Sequence, residues 1–200
     1  MLSEFVMNDN KMTNILMAGV GGQGTLLASE ILSEVLMQAG YDVKKAEVHG
    51  MAQRGGSVVS HVRFGKKVYS PIIPEGEADV LYGFELLETY RYLPLVKKTG
   101  AVVVNNLRIA PPSVLLGKSD YPQDIARKLK DRVDNVRIVD GLELAEQAGN
   151  AKAINTVLLG ALSNTLNPSH EQWLTAIKSL VPERFLDVNL KAFELGRQVR

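Results

Sequence analysis

A glycine-rich turn near the start of the chain separates a short apolar run from a long amphipathic segment. The apolar run covers residues 15–18, the turn covers residues 19–24, and apolar residues then recur at helical spacing over residues 25–38. This order is typical of a buried strand that leads through a tight loop into a helix. The sequence therefore predicts that the chain begins as an α/β unit, with the loop as its first candidate functional site.

The residue types in this turn favour contact with an anion. Glycine permits positive φ angles and a close approach to the backbone, and the first N–H groups of the following helix lack partners within that helix. Gly19, Gly21 and Gly24 match the GxGxxG spacing of dinucleotide-binding turns. The residues predicted to contact a cofactor are Gly19, Gly21, Gly22, Gln23, Gly24 and Thr25. A purely structural role, in a sharp turn with close helix packing, stays open.

The rest of the pattern predicts an α/β, Rossmann-like fold with a mostly parallel sheet. A strand over residues 41–47 completes a β-α-β start, which favours parallel pairing. Further strands are predicted over residues 78–84, 101–106 and 135–140. Alternation over residues 57–64, a turn, and a return over residues 68–73 predict an inserted antiparallel hairpin.

Helical patterns account for most of the remaining chain. They are predicted over residues 85–98, 124–130 and 141–148 and, in a helical C-terminal part, over residues 153–166, 171–180 and 183–197. We expect residues 13–200 to form one domain. Residues 1–12 are expected to be a flexible N-terminal extension.

Composition and charge narrow the classes of function. A net charge of +1 gives no reason to expect nucleic acid as a partner, and no apolar run is long enough to span a membrane. The chain has no cysteine, so it cannot itself hold a cysteine-ligated zinc or iron–sulfur centre. His49, His61 and His170 lack the spacing of metal ligands, and no metal site is predicted. Residues 1–12 do not read as a signal peptide, and a cytoplasmic location is expected.

A second glycine-rich loop follows the strand over residues 41–47. Arg54 in this loop could hold a phosphate or carboxylate through its paired guanidinium donors. His49 lies at the carboxyl end of a predicted strand, the edge where open α/β sheets bind ligands. A solvated loop charge, or a cation buried against a partner chain, would explain Arg54 equally well. The catalytic residues stay unknown, because no nucleophile or paired catalytic carboxylates can be identified.

The two loops, taken together, resemble a known family. The GVGGQG turn and the stretch over residues 47–63 are similar to the gamma-type domain of 2-oxoacid:ferredoxin oxidoreductases, in particular to beta subunits of the indolepyruvate type. Residues 78–85 also match the family's pattern, and the similarity covers about residues 12–200. The most specific part of the match is the block Gln53-Arg54-Gly55-Gly56-Ser57.

The resemblance implies a subunit of a multi-chain oxidoreductase that is inactive alone. In that family, thiamine diphosphate and iron–sulfur clusters lie in the alpha-type partner chain, the 2-oxoacid is decarboxylated, coenzyme A receives the acyl group, and ferredoxin receives the electrons. This chain would hold no cofactor alone, and its lack of cysteine agrees with that division. The isolated chain is expected to form a homodimer. The residues expected at an interface or along the substrate's approach are His49, Gln53, Arg54, Gly55, Gly56 and Ser57.

Two other functions remain open at this point. A stand-alone nucleotide-binding module would place residues 19–24 on a pyrophosphate and Glu47 on a ribose hydroxyl. A scaffold subunit would contribute nothing to the active site, and Arg54 would then be dispensable for turnover. Binding of NAD or FAD by the isolated chain distinguishes the first of these from a subunit role.

Overall fold

The computed structural model describes residues 12–49 and 55–199, and within them six strands form one sheet. The strands are β1 (Thr13–Val20), β2 (Asp42–His49), β3 (Ser57–Gly65), β4 (Ala78–Gly83), β5 (Val96–Asn105) and β6 (Asn135–Val139). Their order in the sheet is β2-β3-β1-β4-β5-β6. The pairs β1/β4, β4/β5 and β5/β6 are parallel, whereas β3 is antiparallel to both β1 and β2. The predicted mostly parallel α/β sheet is therefore confirmed.

Helices cover both faces of this sheet. They are α1 (Thr25–Gln38), α2 (Leu86–Tyr92), α3 (Pro112–Leu115), α4 (Ile125–Lys130), α5 (Gly141–Ala148), α6 (Ile154–Ser163), α7 (His170–Leu180) and α8 (Leu186–Arg197). Ile15 and Met17 of β1 belong to the core shared with α1, α6, α7 and α8. Leu16 and Ala18 belong to the core shared with α2 and α4. Because β1 is buried on both faces, its sequence is a continuous apolar run without alternation.

The antiparallel part of the sheet differs from the predicted hairpin. β3 pairs with β2 on one side and β1 on the other, so the hairpin strands are β2 and β3. The predicted return strand over residues 68–73 is wrong, because β3 has no free edge to which it could bind. In residues 68–73 the backbone forms hydrogen bonds with side chains instead. Arg63 Nη1 donates to the carbonyl oxygens of Ser70 and Ile72, each at 2.9 Å. His61 Nδ1 accepts from the N–H of Ile73 at 3.2 Å.

The helix predicted over residues 85–98 is also too long; of the two effects that the sequence allows for Pro94, a kink or a break, the structure shows a break. α2 ends at Tyr92, a single 3₁₀ turn covers Leu93–Leu95, and β5 begins at Val96. Pro94 lies in the 3₁₀ turn, where its missing N–H and fixed φ angle prevent the α-helix from continuing. The helical C-terminal part is confirmed in α6, α7 and α8.

Candidate functional site

Both loops singled out in the sequence lie at the carboxyl edge of the parallel strands. β1 ends at Val20, and the antiparallel register places Ser57, the first residue of β3, directly opposite. The N–H of Gly21 donates to the carbonyl oxygen of Gly56 at 2.8 Å, and the N–H of Gly55 donates to that of Gly21 at 3.4 Å. The tertiary structure thus joins the glycine turn to the second loop through backbone hydrogen bonds.

The structure describes only part of the second loop. Gln53 and Arg54 lie outside the described residues, as does the side chain of His49, which ends β2 at the same edge. Ser57 is described, and its hydroxyl oxygen lies 3.3 Å from the phenolic oxygen of Tyr92 in α2. The role predicted for these residues at an interface or along a substrate's approach stays a prediction.

The side chain of Gln23 stabilises the glycine turn through two hydrogen bonds to the backbone. Its side-chain Oε1 accepts from the N–H of Val20 at 2.7 Å, and its Nε2 donates to the carbonyl oxygen of Phe84 at 3.0 Å. The amide therefore bridges β1 to the residue that follows β4. Its polar atoms are occupied by this bridge, which gives Gln23 a positioning role beneath the turn.

The carbonyl oxygen of Phe84 links further strands along the same edge. Asn105, the last residue of β5, donates to it from Nδ2 at 3.2 Å. The Oδ1 atom of Asn105 accepts from the N–H of Gly141, the first residue of α5, at 3.1 Å. Gln23, which is half-buried, and the buried Asn105 thus form a chain of hydrogen bonds that fixes the ends of β1, β4, β5 and β6 relative to one another.

The glycines of the turn have different physical roles. A Cβ atom at Gly19 would lie 2.9 Å from Phe84 Cβ, and one at Gly24 would lie 2.9 Å from Asn155 Nδ2. Gly24 also has a φ angle of 77°, and Gly22 has one of 102° with nothing within 4 Å of a Cβ built there. Gly19 and Gly24 therefore serve close packing, whereas the space beside Gly22 is open to a ligand.

Glu47 is not placed as a dinucleotide fold requires. In that fold the acid follows the strand next to β1, whereas here β3 separates β2 from β1. Glu47 instead accepts from the Ser29 hydroxyl at 3.1 Å and pairs with Lys45 at 3.1 Å. These contacts anchor β2 to α1, and they do not favour the stand-alone nucleotide-binding module.

A buried carboxylate on the other side of the edge holds the connection that follows β5. Glu85 caps α2 through the N–H of Glu88 at 2.8 Å, and accepts from the N–H of Ile109 at 3.1 Å and from the Tyr121 hydroxyl at 2.6 Å. Burial and this carboxylate raise the pKa of Tyr121 well above its ordinary value, so the phenol stays protonated and remains a donor.

Phe84, Glu85, Asn105 and Asn155 were not predicted as part of this edge. Each lies at or just after the end of a strand or near a helix start. Only the pairing of β4 and β5 and the packing of α6 on α1 bring Phe84, Asn105 and Asn155 towards the glycine turn. The match of residues 78–85 to the family's pattern is the sequence signal that includes Phe84 and Glu85.

Metal ligation and membrane insertion find no support in the parts of the chain that the structure describes. Over residues 12–49 and 55–199, no three histidine, aspartate or glutamate side chains come together as a metal site. No helix in these ranges has the length and apolar character needed to cross a bilayer.

Comparison with known proteins identifies the family. The family model described as pyruvate ferredoxin/flavodoxin oxidoreductase matches residues 14–199. The chain belongs to this family. Indolepyruvate oxidoreductase subunit IorB of Thermococcus kodakarensis is 45% identical over 188 residues, which are 92% of this chain and 93% of the relative. The resemblance inferred from the two loops is therefore confirmed.

Two solved structures of ferredoxin oxidoreductases share the fold of this chain. The gamma subunit of a keto/oxoacid ferredoxin oxidoreductase from Geobacter sulfurreducens aligns with a TM-score of 0.66 at 25% identity, covering 92% of this chain and 95% of that one. A 2-oxoglutarate:ferredoxin oxidoreductase from Magnetococcus marinus aligns with a TM-score of 0.75 at 21% identity, covering 95% of this chain and 31% of that one. In the second protein the shared fold is one part of a much longer chain.

Proposed function

We propose that this protein is the subunit without clusters of an indolepyruvate-type 2-oxoacid:ferredoxin oxidoreductase. The observation that carries the proposal is the 45% identity to an indolepyruvate oxidoreductase subunit across nearly the full length of both chains. The complex would oxidatively decarboxylate a 2-oxoacid, with coenzyme A as acyl acceptor. One 2-oxoacid anion and one coenzyme A thiol would yield acyl-coenzyme A, carbon dioxide and one proton, while the two electrons released pass to ferredoxin.

The division of cofactors follows from the side chains available. Thiamine diphosphate and the iron–sulfur clusters would be held by an alpha-type partner subunit, since this chain has no cysteine to ligate a cluster. Alone, it would be inactive and would form a homodimer. We place the complex in the cytoplasm, with residues 13–200 acting as one domain.

The carboxyl edge is the surface through which the subunit would act. The glycine turn would contact coenzyme A or shape its approach, because Gly22 leaves open space beside the uncapped start of α1. The second loop, with Arg54 at its centre, would form the interface that covers the partner's active site. Its attachment to the turn through Gly55 and Gly56 supports this assignment, because it puts both loops on one surface.

The test is co-purification of a tagged copy from the native cell extract. We expect recovery of a large, cysteine-rich, thiamine-dependent partner and coenzyme A-dependent oxidation of indolepyruvate, measured with a redox dye. The other 2-oxoacids assayed in parallel are pyruvate, 2-oxoglutarate and branched oxoacids. Recovery of the chain alone, without oxoacid oxidation, would overturn the proposal.

A substitution separates an active-site role of the second loop from a scaffold role. Arg54→Ala is expected to lower the turnover of the reconstituted complex while the subunits still assemble. Arg132→Ala is the matched control, because Arg132 is exposed and precedes β6 at the opposite edge of the sheet. Equal turnover for the two variants would make this chain a scaffold.

A further inference from the structure

We propose that the outer edge of β2 pairs with β2 of a second copy of this chain, so that the two sheets join into one. This inference deepens, and rests on, the homodimer proposed above for the isolated chain. It adds the surface, the register of the two strands and the side chains that fix that register. The two-fold axis passes through Ala46, and Lys45 of each copy lies opposite Glu47 of the other.

β2 is a long strand at the edge of the sheet. It has eight residues, Asp42–His49, and within the described ranges 12–49 and 55–199 it pairs with β3 alone. Every second residue of an edge strand directs its N–H and C=O groups away from the sheet, where another strand can bind them. The outer edge of β2 therefore offers the backbone groups that an antiparallel partner strand requires.

A strand that pairs with its own copy is restricted in register. In a two-fold arrangement the joined sheet is continuous, so residues directly opposite each other must point to the same face. Side chains alternate between the faces along a strand, so a residue can lie opposite only itself or a residue an even number of positions away. The two registers that pair the most residues of β2 are thus centred on Lys45 and on Ala46.

The charges of β2 select the register centred on Ala46. Centring on Lys45 would place two lysines against each other, whereas centring on Ala46 places Lys45 of each copy opposite Glu47 of the other. Opposite charges directly across a strand pair attract, and like charges destabilise the pair. Because the arrangement is two-fold symmetric, the attractive contact forms twice. Ala46 at the axis is small and uncharged, so nothing there opposes it.

Lys45 and Glu47 are held in place on the face where α1 lies. Lys45 Nζ lies 3.1 Å from Glu47 Oε1. Lys45 donates to the Ser29 hydroxyl of α1 at 3.4 Å, and that hydroxyl donates to Glu47 at 3.1 Å. These contacts order both side chains before association, which lowers the entropy cost of ordering them at an interface. In the joined sheet each Lys45 lies between two carboxylates, one from each copy.

The opposite face of β2 adds an apolar contact. Val48 is 53% exposed near the carboxyl end of the strand. Tyr69 is 88% exposed, and it follows Val68, whose N–H donates to Asp42 Oδ2 at 2.9 Å at the amino end. Asp42 and Val48 point to the same face, because they are an even number of residues apart. Antiparallel pairing brings the amino end of one β2 to the carboxyl end of the other, so Tyr69 of each copy comes within reach of Val48 of the other.

The other edge of the sheet lacks this pattern. β6, Asn135–Val139, is shorter than β2, and Arg137 is its one charged residue. Any two-fold pairing of β6 would leave Arg137 opposite itself or opposite an uncharged residue. Arg137 Nη1 also donates to the carbonyl oxygen of Ala161 at 3.0 Å. A self-complementary arrangement of charges is therefore specific to the β2 edge.

Cysteine cross-linking tests the register directly. The chain has no cysteine, so a single introduced thiol can react only with its counterpart in another copy. Ala46→Cys places two thiols across the axis, where Cα atoms of directly opposite residues are about 4.5–5.5 Å apart, a separation that a disulfide spans. Mild oxidation of the isolated full-length chain should give mostly a linked dimer. Lys44→Cys is the matched control, because its counterpart lies roughly 13 Å away along the strand.

Charge reversal tests the contacts between the two strands. Lys45→Glu and Glu47→Lys each put like charges opposite each other, and each should weaken the homodimer roughly tenfold or more in sedimentation velocity. An equimolar mixture of the two variants should recover dimerisation, since every cross-strand pair of the mixed dimer again has opposite charges. Lys130→Glu, exposed on α4, is the control for the change in net charge. Circular dichroism establishes that each variant is folded.

Three results would overturn the inference. A chain that is monomeric at every concentration would leave this edge to the partner subunit. Equal cross-linking of Ala46→Cys and Lys44→Cys would exclude the register, and dimers unaffected by both charge reversals would place the contact elsewhere. None of these results touches the subunit assignment, because co-purification and oxoacid oxidation test that assignment separately.

Discussion

Gln23 and Asn105 donate to the same carbonyl oxygen, that of Phe84, at 3.0 and 3.2 Å. One amide comes from the glycine turn after β1 and the other from the end of β5. The shared acceptor makes the shape of the turn depend on the spacing of three neighbouring strands. The geometry of the functional edge is therefore set by the sheet and is not local to the turn.

Removing the Gln23 amide should loosen the glycine turn. Gln23→Ala leaves the N–H of Val20 without its acceptor, and we expect a loss of about 1–3 kcal/mol in the free energy of unfolding. Hydrogen exchange at Val20 and Gly21 should rise. Gln147→Ala, which changes an exposed glutamine of α5, is the control and should stay within about 0.5 kcal/mol of wild type by urea denaturation. Unchanged exchange at the turn would contradict the bridging role.

The crossing of α6 and α8 depends on two glycines. A Cβ atom at Gly160 would collide with the carbonyl oxygen of Phe193, and one at Gly196 would collide with that of Val157. Gly160→Ala and Gly196→Ala should each destabilise the fold by about 1–3 kcal/mol or more, because backbone atoms must move apart.

Urea denaturation measures this, with Lys191→Ala on the exposed face of α8 as control. Wild-type stability for either variant would show that the helices can separate without cost.

His61 makes the stability of the fold depend on pH. Burial, and then the nearby Arg63 charge, lower the pKa of His61 below its ordinary value of 6.5. The unfolded chain therefore binds this proton at higher pH than the folded one does. Stability from the neutral imidazole is complete above pH 6.5 and falls as the pH drops through the folded-state pKa.

Protonation would remove the acceptor for the N–H of Ile73. His61→Asn keeps an acceptor at this position without a titrating group, and should flatten the decline of stability between about pH 6.5 and 5. Thermal unfolding in a pH series is the measurement. A variant with the same decline as wild type would assign it to other groups.

Tyr121 should stabilise the connection between β5 and α4 through its hydrogen bond to Glu85. Tyr121→Phe removes the donor to Glu85 while retaining the ring, and we expect a loss of about 1–2 kcal/mol in stability and faster exchange at Ile109. In wild type, absorbance titration should show that Tyr121 and the fully buried Tyr82 ionise well above the ordinary tyrosine range. Titration of all six tyrosines near pH 10 would contradict this placement.

Local sequence patterns determined the helices and strands that end at clear stop signals, such as glycine, proline or a group of turn-forming residues. The strand before the glycine turn, α1, β6 and the helical C-terminal part follow from apolar periodicity and from the residues that stop helices. The block Gln53-Arg54-Gly55-Gly56-Ser57 and the GVGGQG turn also determined the family, because together they are more specific than a glycine spacing.

Tertiary structure alone decided which strands pair and which side chains border the glycine turn. Alternation over residues 57–64 predicts a half-buried strand but not its partner, and β3 is inserted between β1 and β2 with both edges occupied. Likewise, the sequence gives no signal that distinguishes Asn155 from any other asparagine near a helix start. Only the packing of α6 against α1 buries Asn155 beside Gly24, because burial is a property of a residue's surroundings and not of its own residue type.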